Sequence, residues 1–426
     1  MMTRETSSRT LNLVVTKILA LVVLAMATTA WAQYTETTLH SFSSFDAGYG
    51  PTALVSDSAG NLYGIAQGGV NRAGIVFKLA PSTSGPWKYH VLYSFTGEND
   101  GYIPSALTVD SAGNLYGTTV QGGKDLSGTV YELSPLNGGW KFNLLHAFTS
   151  RHDGAFPYGI TLDGAGNVYV TADLGGKYED PNCENGVVPN GCGTVIELSP
   201  SSSGWICKTL FAFNYYDGGY PQAGVTLDSA GNLYGTTVLG GNQAGLVFEL
   251  TKASGWSESD VHAFVGPGDE GGANPDQSLI FDTSGNLYGT TPNGGTADAG
   301  VAFKLSPASG GPWTETVLYS FTGGDDGAGP SSGLIFDPSG NLYGATISGG
   351  ASGAGTVYQL VFLGGGAGEG TLYSFTGGSD GANPYGNLVR DSAGNLYGAA
   401  ESGGLNSCGG GCGVIFELSS GSSSAR

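Results

Sequence analysis

The sequence predicts an all-β protein: a seven-bladed β-propeller of four-stranded blades, its ring closed by the N-terminal strand. Three observations carry that expectation. The first is a motif, Asp-Ser-Ala-Gly-Asn-Leu-Tyr-Gly and variants of it, found seven times, with its Asn at Asn61, Asn114, Asn167, Asn232, Asn286, Asn341 and Asn395. The spacings are 53, 53, 65, 54, 55 and 54 residues. A fixed period of this size marks a modular array in which no unit buries its apolar surface alone. The second is composition: Gly makes up 76 of 426 residues, charged residues only 12%, and Tyr with Phe outnumber Lys with Arg. That mix is too aromatic for a disordered Gly-rich chain. The third lies at the chain ends. Tyr34-Thr-Glu-Thr-Thr-Leu-His-Ser-Phe42 matches Trp313-Thr-Glu-Thr-Val-Leu-Tyr-Ser-Phe321, a fourth strand, while the seventh copy stops after its third. An N-terminal strand that completes the last blade removes the exposed sheet edge.

Taken from the N-terminus, residues 1–32 read as a secretory signal peptide. Arg4, Arg9 and Lys17 precede an apolar run from Ile18 to Met26 and a small-x-small site at Ala30-Trp31-Ala32. The remainder, 33–426, reads as one domain, with blades at about 51–96, 104–149, 157–213, 221–265, 275–322, 330–376 and 384–420 plus 34–42. In the second copy the strands fall at Ala106–Asp110, Asn114–Val120, Gly128–Leu133 and Trp140–Phe148. Asp-Ser-Ala-Gly-Asn suits a tight turn between the first two. Four strands in about 50 residues is the size of a propeller blade, whereas a parallel β-helix needs much shorter coils. The tail from Ser419 to Arg426 has neither an apolar span nor a basic stop. The mature chain is therefore expected to be soluble, and secreted or periplasmic.

The units Leu-Tyr-Ser-Phe-Thr-Gly-Gly-x-Asp-Gly-x-x-Pro, Asp-Ser-Ala-Gly-Asn-Leu-Tyr-Gly-Thr-Thr and Gly-Thr-Val-Tyr-Glu-Leu-Ser-Pro resemble the GloVer tandem-repeat family of exported bacterial proteins. The resemblance spans essentially the whole mature chain. It implies a repeat protein at or beyond the cell surface, often tethered by a C-terminal anchor, and brings no established activity with it.

Charge narrows the partners. The net charge is −20, and the leader carries three basic residues and one acidic, leaving −22 on the mature chain. Phosphate recognition needs clustered Lys and Arg, so nucleic acid and anionic membranes are disfavoured. A neutral glycan or a protein is the expected partner of a monomer.

Two acidic sets stand out. Asp57, Asp110, Asp163, Asp228, Asp282, Asp337 and Asp391 open the repeated turn, one per turn, and an Asx-type bond to the turn backbone accounts for each. Asp100, Asp153, Asp217, Asp326 and Asp380 each precede a Gly in the loop from the fourth strand to the next blade. They either cap that turn or ring the channel mouth as a ligand site. No cofactor is expected, Ca²⁺ being the one ion such a ring would hold.

Blades three and seven depart from the repeat. Cys183 and Cys192, and Cys408 and Cys412, precede the third strand in matching positions and read as two loop disulfides, leaving Cys207 free. Two residues before the Gly-Gly pair, where other blades are mostly apolar, they carry Asp173 and Glu401. Blades three and seven lie nearly opposite each other, too far apart for a carboxylate pair separated by about 5–10 Å. His40, His146 and His262 occupy the register of Tyr93, Tyr319 and Tyr373 and read as aromatic substitutes. His152 sits in a ring-face loop, and Arg390 is an unexpected charge on the innermost strand of blade seven. No zinc-protease helix or Walker loop is present. The reading is an exported, non-enzymatic binding or surface-interaction protein of unknown ligand. The alternative is a polysaccharide hydrolase or lyase with an acidic site on the channel-mouth face. An enzyme concentrates unlike residues from several blades at one mouth, whereas a binding array keeps repeated ones.

Overall fold

The computed structural model describes residues 34–82, 84–176, 183, 191–266, 270–308, 311–363, 366–405 and 408–420; the expected leader lies outside these residues. Seven four-stranded antiparallel blades form a β-propeller around a central channel. In blade two the strands are Tyr102–Val109, Leu115–Gln121, Thr129–Leu136 and Gly139–Ala147, each paired with the next. The innermost strand begins earlier than its apolar run suggests, because the loop residues ahead of it also pair. The N-terminal strand Tyr34–Ser41 lies antiparallel to Val414–Ser420, in register from Tyr34↔Ser420 to Ser41↔Val414. Chain start and chain end thus share one sheet.

Each seam between blades has its own apolar cluster. Leu54, Ile75 and Phe77 of the first blade pack with Phe42, Tyr397 and Ile415 of the seventh, for example. The repeat supplies the fit. On the second strand Gly64, Gly117, Gly235, Gly289, Gly344 and Gly398 stand opposite Phe77, Tyr131, Phe248, Phe303, Tyr358 and Phe416. A Cβ at Gly64 would sit 2.3 Å from the Phe77 ring, so the ring lies flat over the missing side chain. Blade three solves the same problem differently, with Val170 opposite Ile196. Each such ring is fully buried, contributing on the order of 2–3 kcal/mol of transfer free energy.

The Pro of the inter-blade loop seats on the Gly that opens the third strand of the preceding blade. A Cβ on Gly74 would meet Pro104 at 2.1 Å, and one on Gly413 would meet Pro51 at 2.5 Å. The second of these contacts crosses the closure seam.

Blades four to seven differ from the first three at the channel. Six residues lead from Pro51 to Asp57, from Pro104 to Asp110 and from Pro157 to Asp163; seven lead from Pro221 to Asp228 and in each later blade. The first three innermost strands run unbroken, as Tyr49–Ser56, Tyr102–Val109 and Ala155–Leu162. With the extra residue the strand breaks, in blade seven into Ala382–Pro384 and Val389–Arg390, with Tyr385-Gly386-Asn387-Leu388 between the pieces. An added residue opposite an unchanged second strand has no pairing partner, and the ladder opens there.

Candidate functional site at the channel mouth

The repeated turn aspartates are consumed locally. Asp57 accepts the backbone N–H of Ala59 and of Asn61, each at 2.9 Å, through Oδ1. Its Oδ2 accepts from Asn61 Nδ2 at 2.7 Å and from the Tyr63 hydroxyl at 3.0 Å. The backbone and Asn bonds recur at Asp110, Asp163, Asp228, Asp282, Asp337 and Asp391. The motif is a self-contained turn.

The five inter-blade aspartates also face inward to their own loops. Asp100 accepts from Thr96 N, Thr96 Oγ1 and the Tyr93 hydroxyl. Asp326 does so from Thr322 and Tyr319, and Asp380 from Thr376 and Tyr373. Asp217 accepts from the backbone N–H and side-chain amide of Asn214. Asp153 takes Thr149 and, where the others take a Tyr, His146 Nε2 at 2.9 Å. The three histidines in the Tyr register therefore have different fates, set by whether the loop supplies an Asp. His262 lacks one and lies 3.3 Å from Glu315 of the next blade. His40 also lacks one; it stacks on Tyr89 with ring centroids 4.0 Å apart and leaves Nε2 without a partner.

The side chains that break the repeat gather at the channel mouth. The residue after each inter-blade Pro is Thr52, Ser105, Tyr158, Gln222, Asp276, Ser331 and Tyr385 in turn. All but Ser331 line a cavity of about 470 Å³, joined by Gln277 and Asn387. Two of these positions have structural duties, since the hydroxyls of Ser105 and Ser331 donate to the carbonyls of Pro157 and Pro384. The other unlike residues, Tyr158, Gln222, Asp276 and Tyr385, come from blades three, four, five and seven.

Asp173 and Glu401 are tied to this mouth through residues that line it, Asp173 by a bond from Gln222 and Glu401 by its charge acting on Tyr385. Gln222 Nε2 donates to Asp173 Oδ1 at 3.1 Å, and burial pushes the Asp173 carboxyl up to about 6. Burial likewise raises Asp276 to about 6, against a bond from Gln277 at 3.2 Å. Glu401 is raised by burial. The Tyr385 phenol is pushed up to about 12, first by burial and then by the charges of Asp276, Glu401 and Tyr158; Tyr158 is raised by burial and by Asp173. Tyr158 of blade three and Tyr385 of blade seven thus line one cavity despite the separation expected of those blades. Among the described residues, no group of three or more His, Cys, Asp or Glu is placed to hold a metal ion.

Sequence reasoning singled out the inter-blade aspartates together with Asp173 and Glu401, and missed Asp276, Tyr158, Tyr385 and Gln222, which line this cavity. Their signal was divergence: the position after the Pro varies where its neighbours repeat. His152 is exposed and outside the cavity, its carbonyl accepting from Thr209. Arg390 lies at the far end of the channel, lining a separate cavity of about 420 Å³ with Asp57, Trp87 and Tyr397. The disulfides form as expected, Cys183–Cys192 and Cys408–Cys412, and Cys207 is free, 3.8 Å from His146 Nε2.

Fold and mouth together define a seven-bladed repeat propeller with one asymmetric opening. The chain belongs to the Gloeobacter/Verrucomicrobia repeat family, whose model matches residues 25–188, 181–360 and 267–425. No curated protein matches it in sequence. Among solved structures it is similar to the extracellular domain of a hybrid two-component system of B. thetaiotaomicron, at 12% identity and a TM-score of 0.54. The match covers 90% of this chain and 40% of that one, so this chain spans well under half of that length. A second structure, described as the extracellular domain of a one-component system of the same organism, gives 12% identity and a TM-score of 0.53, with 90% and 40% covered. At this identity the likeness concerns the fold alone.

Proposed function

We propose that the protein is an exported, non-enzymatic binding protein that takes its ligand at the channel mouth. One observation carries this reading. The blades repeat nearly residue for residue, yet the mouth cavity presents Tyr158, Gln222, Asp276 and Tyr385 from four blades at a single repeat position. Turn and seam chemistry account for the repeated residues; they do not account for these. Ligand sites are concave, with a few convergent polar groups on apolar walls, and buried carboxyls shifted upward mark such places. The leader-like N-terminus and the two disulfides support export.

A hydrolase or lyase is the second reading, favoured by Asp173 and Asp276, each raised to about 6, the range of a general acid. Screening the purified mature protein against glycans, polysaccharides and surface proteins, with product analysis of every polysaccharide, tests both. Binding without turnover, lost on Tyr385→Ala, supports the binding protein. Product release abolished by Asp276→Asn or Asp173→Asn establishes the enzyme instead.

A further inference from the structure

We propose, resting on the mouth being a binding site, that its ligand is the end of an uncharged saccharide chain. The cavity, about 470 Å³, has room for one to two sugar rings but not for a folded partner. Its polar lining is mixed in kind. Asp276 only accepts hydrogen bonds when ionised, whereas Gln222, Gln277 and Asn387 also offer N–H donors. A ligand that answers both must donate and accept at neighbouring points, which is what vicinal hydroxyls do. An anionic ligand would meet the Asp276 carboxylate and no Lys or Arg among the lining residues, with Asp173 bonded to the lining Gln222 and Glu401 acting on the lining Tyr385. A metal or simple ammonium ion would make no use of the N–H groups that Gln222 and Gln277 hold beyond those given to Asp173 and Asp276.

The walls fit the same class. Tyr158 and Tyr385 are each 36% exposed and both line the cavity, so part of each side chain is open. A sugar ring has an apolar C–H face and a polar rim, and aromatic walls with polar tips suit that combination. Hydroxyl bonds to a carboxylate are charge-assisted and roughly twice as strong as neutral ones. Gly386 lets the walls approach: a Cβ there would lie 1.7 Å from the Thr52 carbonyl oxygen, so only Gly allows blades seven and one to bring Asn387 and Thr52 to the same cavity.

Calorimetric titration of the mature chain tests this, with neutral cello-, malto-, laminari- and manno-oligosaccharides as probes beside cationic chitosan oligomers and anionic oligogalacturonate. At least one neutral series is expected to bind saturably, one per chain. Tyr385→Ala and Asp276→Asn should each weaken it about tenfold or more while the melting midpoint holds; Gln222→Ala serves if either variant misfolds. Binding of chitosan alone, lost in the same variants, would keep the mouth as a binding site and overturn the saccharide assignment. Neutral binding unchanged in all three variants would overturn the mouth itself. If no probe binds, the saccharide assignment falls.

Discussion

Replacing His146 with Tyr should remove a pH dependence while keeping the loop it holds. In the parent, His146 Nε2 meets Asp153 Oδ2 at 2.9 Å, with side chains only 18% and 11% exposed. Burial alone would lower the imidazole; the bonds to Asp153 and to Cys207 outweigh it and raise it from 6.5 to about 9. At roughly 1.4 kcal/mol per unit, that shift corresponds to about 3 kcal/mol. The lowered Asp153 carboxyl reports the same bond and is not added to it. Because the folded value of His146 lies above the unfolded one, the stabilisation is complete below pH 6.5 and fades as pH rises through about 9. Its acid limit comes from Asp153, whose depressed value means loss as pH falls below the ordinary 3.8. In the Tyr variant a phenol donates to Asp153 as Tyr93 does to Asp100 at 2.9 Å, and that bond does not titrate in this range. Urea unfolding at pH about 6 and about 9.5 should show the parent losing about 3 kcal/mol relative to the variant. Parallel stability curves, or an NMR titration placing His146 below 6.5, would refute the reasoning. His40 provides the opposite slope within the same protein. Burial lowers it to about 4, so its contribution is present above pH 6.5 and lost as pH falls through that lower value.

Deleting Tyr34–Ser41 should expose Val414–Ser420 as a sheet edge; the truncated chain is expected to melt lower and to associate, as light scattering would report, and an unchanged monomer would disprove closure. Reducing Cys183–Cys192 and Cys408–Cys412 should loosen their loops without unfolding the domain, since ring closures this short are worth about 2–3 kcal/mol each; cooperative unfolding on reduction would contradict this. Replacing Asp100, Asp217 and Asp380 with Asn should leave the response of the melting temperature to Ca²⁺ unchanged, because each carboxylate is occupied by its own loop; a saturable Ca²⁺ shift present in the parent and lost in the variant would show a joint ion site.

The ring was legible in the sequence because the repeat is nearly literal. A turn that returns with its Asp, Gly, Asn and Tyr reports blade number directly, and Tyr34–Phe42 reads as a displaced fourth strand. The disulfides were legible for the same reason, as paired insertions at one repeat position. The mouth was harder. Tyr158, Gln222, Asp276 and Tyr385 match no motif, and the eye is drawn to residues that recur, such as Asp100 and Asp326, which turn out to be bonded within their own loops. Nor does the spacing of Asp173 and Glu401 along the ring reveal that Tyr158 and Tyr385 line one cavity. The single-residue lengthening of blades four to seven was visible in the count from Pro to Asp, but its consequence, an opened innermost strand, depends on what the second strand does opposite it.

The closure seam also decides how the protein yields to force. Tyr34 pairs with Ser420, so both ends of the described chain emerge side by side from the outer edge of one blade. Tension applied through those ends pulls along the inter-strand bonds rather than across them, because antiparallel bonds lie perpendicular to the strands. The clasp then opens like a zipper, one pair at a time, beginning at Tyr34 and Ser420, while the other six blades carry almost no load. A protein tethered at one end and towed by the other would lose its ring early and cheaply. Held by one end only, it would feel no such peeling and could present its mouth indefinitely.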